Sequence, residues 1–246
     1  MIIFLSTFSR VPQLLSENLI LDGDESIVGL MALHFSEGQE IPIFFYGQSY
    51  GFAFFEVFVI SCFYQLFGVT EYAVKLAMLS IWVLGVVIFY RTLIQISFKR
   101  NSWAPLLSTL LFVFFPAFAV WSMKARGGYL TAFLFFMLII YLIFHKKWNT
   151  KFWGGLLMGF CIVILYQSQP LWIAGLIPIL GYYWMNIKSW RLTIAGFIGG
   201  GIGVILFSVL KLGVSSFWVP EVLVWPQIGF WDLIASIFVK TYRSLT

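Results

Sequence analysis

The sequence predicts an all-α polytopic membrane protein, with about six transmembrane helices and two juxtamembrane helices in a first extracytoplasmic loop. Three observations carry this expectation. Hydrophobic residues make up 61% of the chain and charged residues 10%, with a mean hydropathy of +0.95, whereas soluble chains carry about a quarter charged residues. Apolar runs near ~18 residues, long enough to cross a bilayer, recur from Ala73 onward. Finally, eight of the ten acidic residues precede residue 75, while Lys and Arg fall mostly in short loops between the apolar runs. The net charge of +5 thus reads as the positive-inside bias of a membrane protein. It points to a lipid bilayer as partner and not to nucleic acid.

Residues 1–21 are expected to be the remnant of a first span. Met1 to Leu5 is too short for a signal-peptide core. Arg10, Pro12, Gln13, Ser16 and Glu17 make residues 2–21 too polar for a complete span. Residues 22–71 form the extracytoplasmic loop. Within it, Ile27, Val28, Leu30, Met31, Leu33 and Phe35 recur at near-helical spacing until Gly38, an interfacial amphipathic helix of about 14 residues. Residues 40–51 form a loop punctuated by Pro42, Gly47 and Gly51, with Phe44, Phe45, Tyr46 and Tyr50 as interfacial aromatics.

Residues 52–67 are apolar enough for a short span but carry Glu56 and Gln65, and loop charge decides between the readings. If this segment does not cross, spans at 73–96, 103–123, 129–144, 152–167, 171–187 and 192–212 remain. Lys99 and Arg100, then Lys146, Lys147 and Lys151, then Lys188 and Arg191 all face the cytoplasm. The opposite loops then hold every acidic residue. Residues 52–67 are therefore read as a second juxtamembrane or re-entrant helix, and 72–212 as the transmembrane region. Pro116 and Pro178 are expected to kink their helices. Gly155-x-x-x-Gly159 and Gly196-x-x-x-Gly200 are expected to be close-packing faces. Residues 213–246 read as an extracytoplasmic, Trp- and Pro-rich loop followed by a truncated end. Cys62 and Cys161 read as packing residues. The solitary His34 and His145 lack zinc-site spacing.

Chemistry concentrates in Leu21-Asp22-Gly23-Asp24-Glu25-Ser26. Asp22 and Glu25 fit a capping box, which accounts for both structurally. Asp24 is left in the first turn, where the helix dipole favours an ionised carboxylate. It suits either accepting a proton from a hydroxyl or binding a divalent cation. Glu56, expensive at membrane level unless paired, is expected to share that cation with Asp24 or to pair with Lys124 or Arg126. Tyr46, Gln48 and Tyr50 are expected to line the same cavity. Lys124 and Arg126 oppose the topology signal from an outward loop. They either snorkel to bulk lipid phosphate or form an anion site, with Gly127 and Gly128 permitting close backbone approach.

In Asp24-Glu25-Ser26-Ile27-Val28-Gly29-Leu30-Met31-Ala32, in residues 42–51 with Glu56, in Leu66-Phe67-Gly68-Val69 and in residues 121–129, the chain resembles polytopic glycosyltransferases of the GT-C class. It is most similar to the N-terminal half of the dolichyl-phosphate-mannose protein mannosyltransferase-like group (glycosyltransferase family 39-like) of prokaryotic membranes. Order and spacing agree over residues 20–145. The resemblance implies inverting transfer of a sugar from a polyprenyl-phosphate donor to a hydroxyl of a protein, lipid or glycan acceptor. The active face would be outside the prokaryotic plasma membrane. It assigns Asp24 and Glu25 as the catalytic pair, with Asp24 as base or metal ligand, and places Lys124, Arg126 and Tyr129 at the donor. Both chain ends depart from the family. A non-catalytic truncated chain of that fold, or half of a split enzyme, is the first alternative. A transporter or lipid flippase is the second.

Overall fold

The computed structural model describes residues 1–16, 19–48, 50–97, 102–145, 147–187 and 190–214. The loop expected beyond residue 214, and the cations Lys99, Arg100, Lys146 and Lys188 of the topology argument, lie outside the described residues.

The regular elements of the described chain are all helices: α1 (Ile2–Phe8), α2 (Val11–Leu14), α3 (Gly23–Ser36), α4 (Phe54–Phe67), α5 (Glu71–Ile96), α6 (Ala104–Phe114), α7 (Pro116–Trp121), α8 (Tyr129–Phe144), α9 (Phe152–Ser168), α10 (Trp172–Ile187) and α11 (Trp190–Val214). Only one isolated bridge, Phe44 to Phe52, interrupts that pattern among the described residues. Two helices, α5 and residues 190–211 of α11, are long and apolar enough to cross a membrane. The other apolar helices are shorter. A 16-residue helix such as α8 rises about 24 Å, short of the ~30 Å hydrocarbon layer.

The expected elements fall close to these bounds, with one clear departure. The run 103–123 is two helices, because Phe115 adopts ψ 127° ahead of Pro116. A proline ring clashes with a helical residue before it, so α6 ends there. Pro178, by contrast, sits inside an unbroken α10.

Small residues set the closest contacts. A Cβ at Gly85 of α5 would meet the Phe133 ring of α8, and one at Gly159 of α9 would run into the Gly196 carbonyl of α11. The glycine faces read from the sequence thus bring α9 and α11 together. The pair α3 and α4 packs on α5 through Val28, Met31, Val57, Ile60, Val74 and Met78, all fully buried. This core anchors the first turn of α3 to the start of α5, which positions the acidic cluster. The N-terminal segment expected to be a span remnant folds as α1 and α2, with Arg10 between them almost fully buried.

Candidate functional site

The first turn of α3 is fixed by the capping box that the sequence predicts. The Glu25 amide donates to Asp22 Oδ1 and the Asp22 amide donates to Glu25 Oε2, each at 3.0 Å. Capping uses one oxygen of each carboxylate, and the remaining oxygens reach other elements. Glu25 Oε1 accepts from Lys75 Nζ on α5, with Glu25 1% exposed. Asp22 Oδ2 accepts from Lys124 Nζ at 2.9 Å and from Arg126 Nη2 at 2.8 Å.

Asp24 is placed differently. Its side chain is 53% exposed, and its one ion pair among the described residues is a longer 3.8 Å contact with Arg126 Nη1. The dipole and charge arguments therefore leave Asp24 as the accessible acid of the three. Burial pushes the Asp22 carboxyl up, but hydrogen bonds from Lys124, the Glu25 amide and Arg126 outweigh it and hold the group well below the usual carboxylate range. The reciprocal effect raises the Arg126 guanidinium, chiefly through its hydrogen bond to Asp22.

The cation loop is itself braced by aromatic rings. Arg126 lies over Trp121 at 4.9 Å, and Trp121 stacks on Tyr129 at 5.6 Å with 28° between planes. Trp121 and Tyr129 also form part of the wall of an apolar cavity of about 240 Å³, with Trp82, Phe118, Leu130, Phe133 and Trp172. The charged cluster and a greasy cavity thus share the Trp121 wall. Behind the cavity, Arg10 Nε donates to Ser122 Oγ and Nη2 to the Val113 carbonyl, both at 2.8 Å, with its guanidinium 4.7 Å from the Trp82 ring.

Several expected site residues are placed elsewhere. Glu56 is fully buried, and its Oε1 accepts from the amides of Leu130 and Thr131 at the start of α8, at 3.0 and 3.2 Å. It caps α8 from α4. It pairs with neither Lys124 nor Arg126, whose ion-pair partners are Asp22 and Asp24. Sharing a divalent cation with Asp24 fits this arrangement poorly, since one carboxyl faces solvent and the other is enclosed. No group of three or more His, Cys, Asp or Glu side chains suited to a metal occurs among the described residues. Gly127 and Gly128 adopt positive φ (60° and 101°), but the space beside them is filled. A Cβ would meet the Phe45 ring at Gly127 and the Phe52 and Ser168 carbonyls at Gly128. These glycines seat the 40–53 loop and are not open to a ligand. Tyr46 bonds His34 Nδ1 through its hydroxyl at 2.9 Å, while Gln48 and Tyr50 are exposed.

Lys75, Arg10, Trp82 and the second role of Asp22 went unread in the sequence. A lone lysine within an apolar run is the one signal that pointed to a buried acidic partner. No family model, no curated protein and no solved structure matches this chain.

Proposed function

We propose that the protein is a glycosyltransferase that moves a sugar from a polyprenyl-phosphate-linked donor to an acceptor hydroxyl at the extracytoplasmic membrane face. On this reading the shorter apolar helices complete a polytopic bundle of about six spans, with α3 and α4 lying at its outer surface. The observation that carries the reading is Asp24: an exposed carboxylate at a helix N-terminus, 3.8 Å from an arginine that also stacks against an apolar aromatic cavity.

An amphiphilic phosphate suits that combination. Lys124 and Arg126 neutralise the phosphate, while the aromatic cavity takes adjoining apolar or sugar-ring surface. Asp24 accepts the proton of the acceptor hydroxyl as its oxygen bonds to the anomeric carbon. The bond from that carbon to the phosphate oxygen breaks, its electron pair leaves with the polyprenyl phosphate, and the configuration inverts. Lys124 and Arg126 stabilise the charge gathering on the departing phosphate. Glu25, enclosed and paired with Lys75, positions the turn and does not contact substrate.

The test is transfer from a polyprenyl-phosphate sugar by the full chain in proteoliposomes. Asp24→Asn should lower the transfer rate by about 10²-fold or more while insertion and thermal stability stay unchanged. Full retained transfer defeats the assignment. Repeating the assay with a chelator separates a proton-accepting Asp24 from one that ligates a cation.

A further inference from the structure

We infer that Asp22 is an exchangeable internal anion, whose Oδ2 fills the place between Lys124 and Arg126 that an incoming phosphate ester takes. This rests on the proposed reading only in naming a lipid phosphate as the incoming group. Three observations lead to it.

The first is geometric. A single carboxylate oxygen lies 2.9 Å from Lys124 Nζ and 2.8 Å from Arg126 Nη2, as one oxygen of a phosphate would. The second is an unused donor. Arg126 Nε is buried and has no hydrogen-bond partner among the described residues. Nε and Nη2 form one edge of the guanidinium fork, which matches two oxygens of a single acid. Asp22 offers only one, because its Oδ1 is held by the Glu25 amide. A phosphate brings the second oxygen and fills the whole fork.

The third observation is charge balance. Lys75 answers Glu25, while Lys124 and Arg126 answer Asp22 and Asp24. An anion added to this neutral set meets like charge unless a carboxylate withdraws. Asp22 is the one in its way. Its side chain is 32% exposed, so Oδ2 can swing toward water while Oδ1 keeps its bond from the Glu25 amide. The exchange has a consequence for the neighbouring acid: when phosphate takes the Arg126 fork, the guanidinium supports Asp24 less, and Asp24 becomes the better base. Donor binding is thereby coupled to activation of the acceptor.

Binding of farnesyl phosphate, farnesol and phosphatidylglycerol to the full chain in detergent tests this. Asp22→Asn keeps an acceptor for the Glu25 amide and removes the negative charge. It should bind farnesyl phosphate about tenfold or more tightly than the natural chain, with farnesol unchanged. Asp22→Ser, which also keeps a cap, should tighten binding in the same direction and decides the matter where the Asn variant does not fold. If the natural chain binds farnesyl phosphate and neither variant binds it more tightly, the exchange is overturned and the donor reading stands. Tightening toward phosphatidylglycerol alone supports the exchange and removes the donor reading. An equal gain for farnesol overturns the exchange, since that gain would not involve charge.

Discussion

Replacing Lys75 with Met tests whether the buried pair with Glu25 holds the first turn of α3 against α5. The Lys75 and Glu25 side chains are 9% and 1% exposed, and the other Glu25 oxygen accepts from the Asp22 amide at 3.0 Å. Met preserves the length and apolar body of the lysine stem, so the perturbation is mainly loss of the ammonium. It leaves a carboxylate enclosed with one backbone partner. Removing one member of a buried pair costs roughly 3–5 kcal/mol. The surviving amide bond offsets about 1 kcal/mol, which leaves an expected loss of about 3 kcal/mol. Adding Glu25→Gln removes the stranded charge while keeping an acceptor for the amide, so the double variant should sit only about 1 kcal/mol below the natural chain. The four-member cycle is read by unfolding in mixed micelles of increasing dodecyl sulfate. A Lys75→Met loss under about 0.5 kcal/mol, or losses that simply add, would refute the argument, because additivity is the mark of sites that do not interact.

Two further outcomes can be read independently. Burial pushes the Glu56 carboxyl above its ordinary value, against hydrogen bonds from the amides at the start of α8. A carboxyl raised on folding stabilises most below its unfolded pKa, near ~4.3, and loses that contribution as pH rises to the folded value. Glu56→Gln should remove this decline and overtake the natural chain toward neutral pH; a stability difference that stays flat with pH sinks the idea. Topology is checked with single cysteines at exposed Gln39 and Thr150, after Cys62 is replaced. They should label from opposite faces of the membrane, and labelling from one face overturns the charge-based orientation.

Local signals were legible and distant pairings were not. The capping box and the glycine faces of α9 and α11 each depend on a residue's own backbone or on a helical period, which spacing exposes, while at Pro116 a kink was expected and the helix ends outright. The partners of Glu25 and Asp22 lie 50, 102 and 104 residues away, and no period encodes such contacts. Glu56 illustrates the limit well. Its cost at membrane level flagged a needed partner, yet the partners are backbone amides of α8, which carry no mark in the sequence. Gly127 and Gly128 were read as letting backbone approach a ligand, whereas their positive φ lets other parts of the chain pack against them. What fills the space beside them, Phe45 and the Phe52 carbonyl, depends on how the 40–53 loop folds back.

The three carboxylates at the start of α3 present an electrostatic problem whose solution distinguishes them. The helix N-terminus favours negative charge, but three acids within four positions repel one another. A solution from α5 meets Glu25, and a solution from the 122–128 loop meets Asp22. Each arrives from a different element, so the acidic turn is well compensated only once α5 and the loop are both in place. Among the described residues Asp24 receives no cation of its own, only the far edge of a guanidinium already engaged by Asp22. A carboxylate left accessible and partly compensated, between neighbours that are fully paired, is the one the proposed reading assigns to the acceptor hydroxyl. The same loop that pairs closely with Asp22 reaches Asp24 only through the longer contact of Arg126, so a ligand that competes for that loop is expected to alter both acids at once.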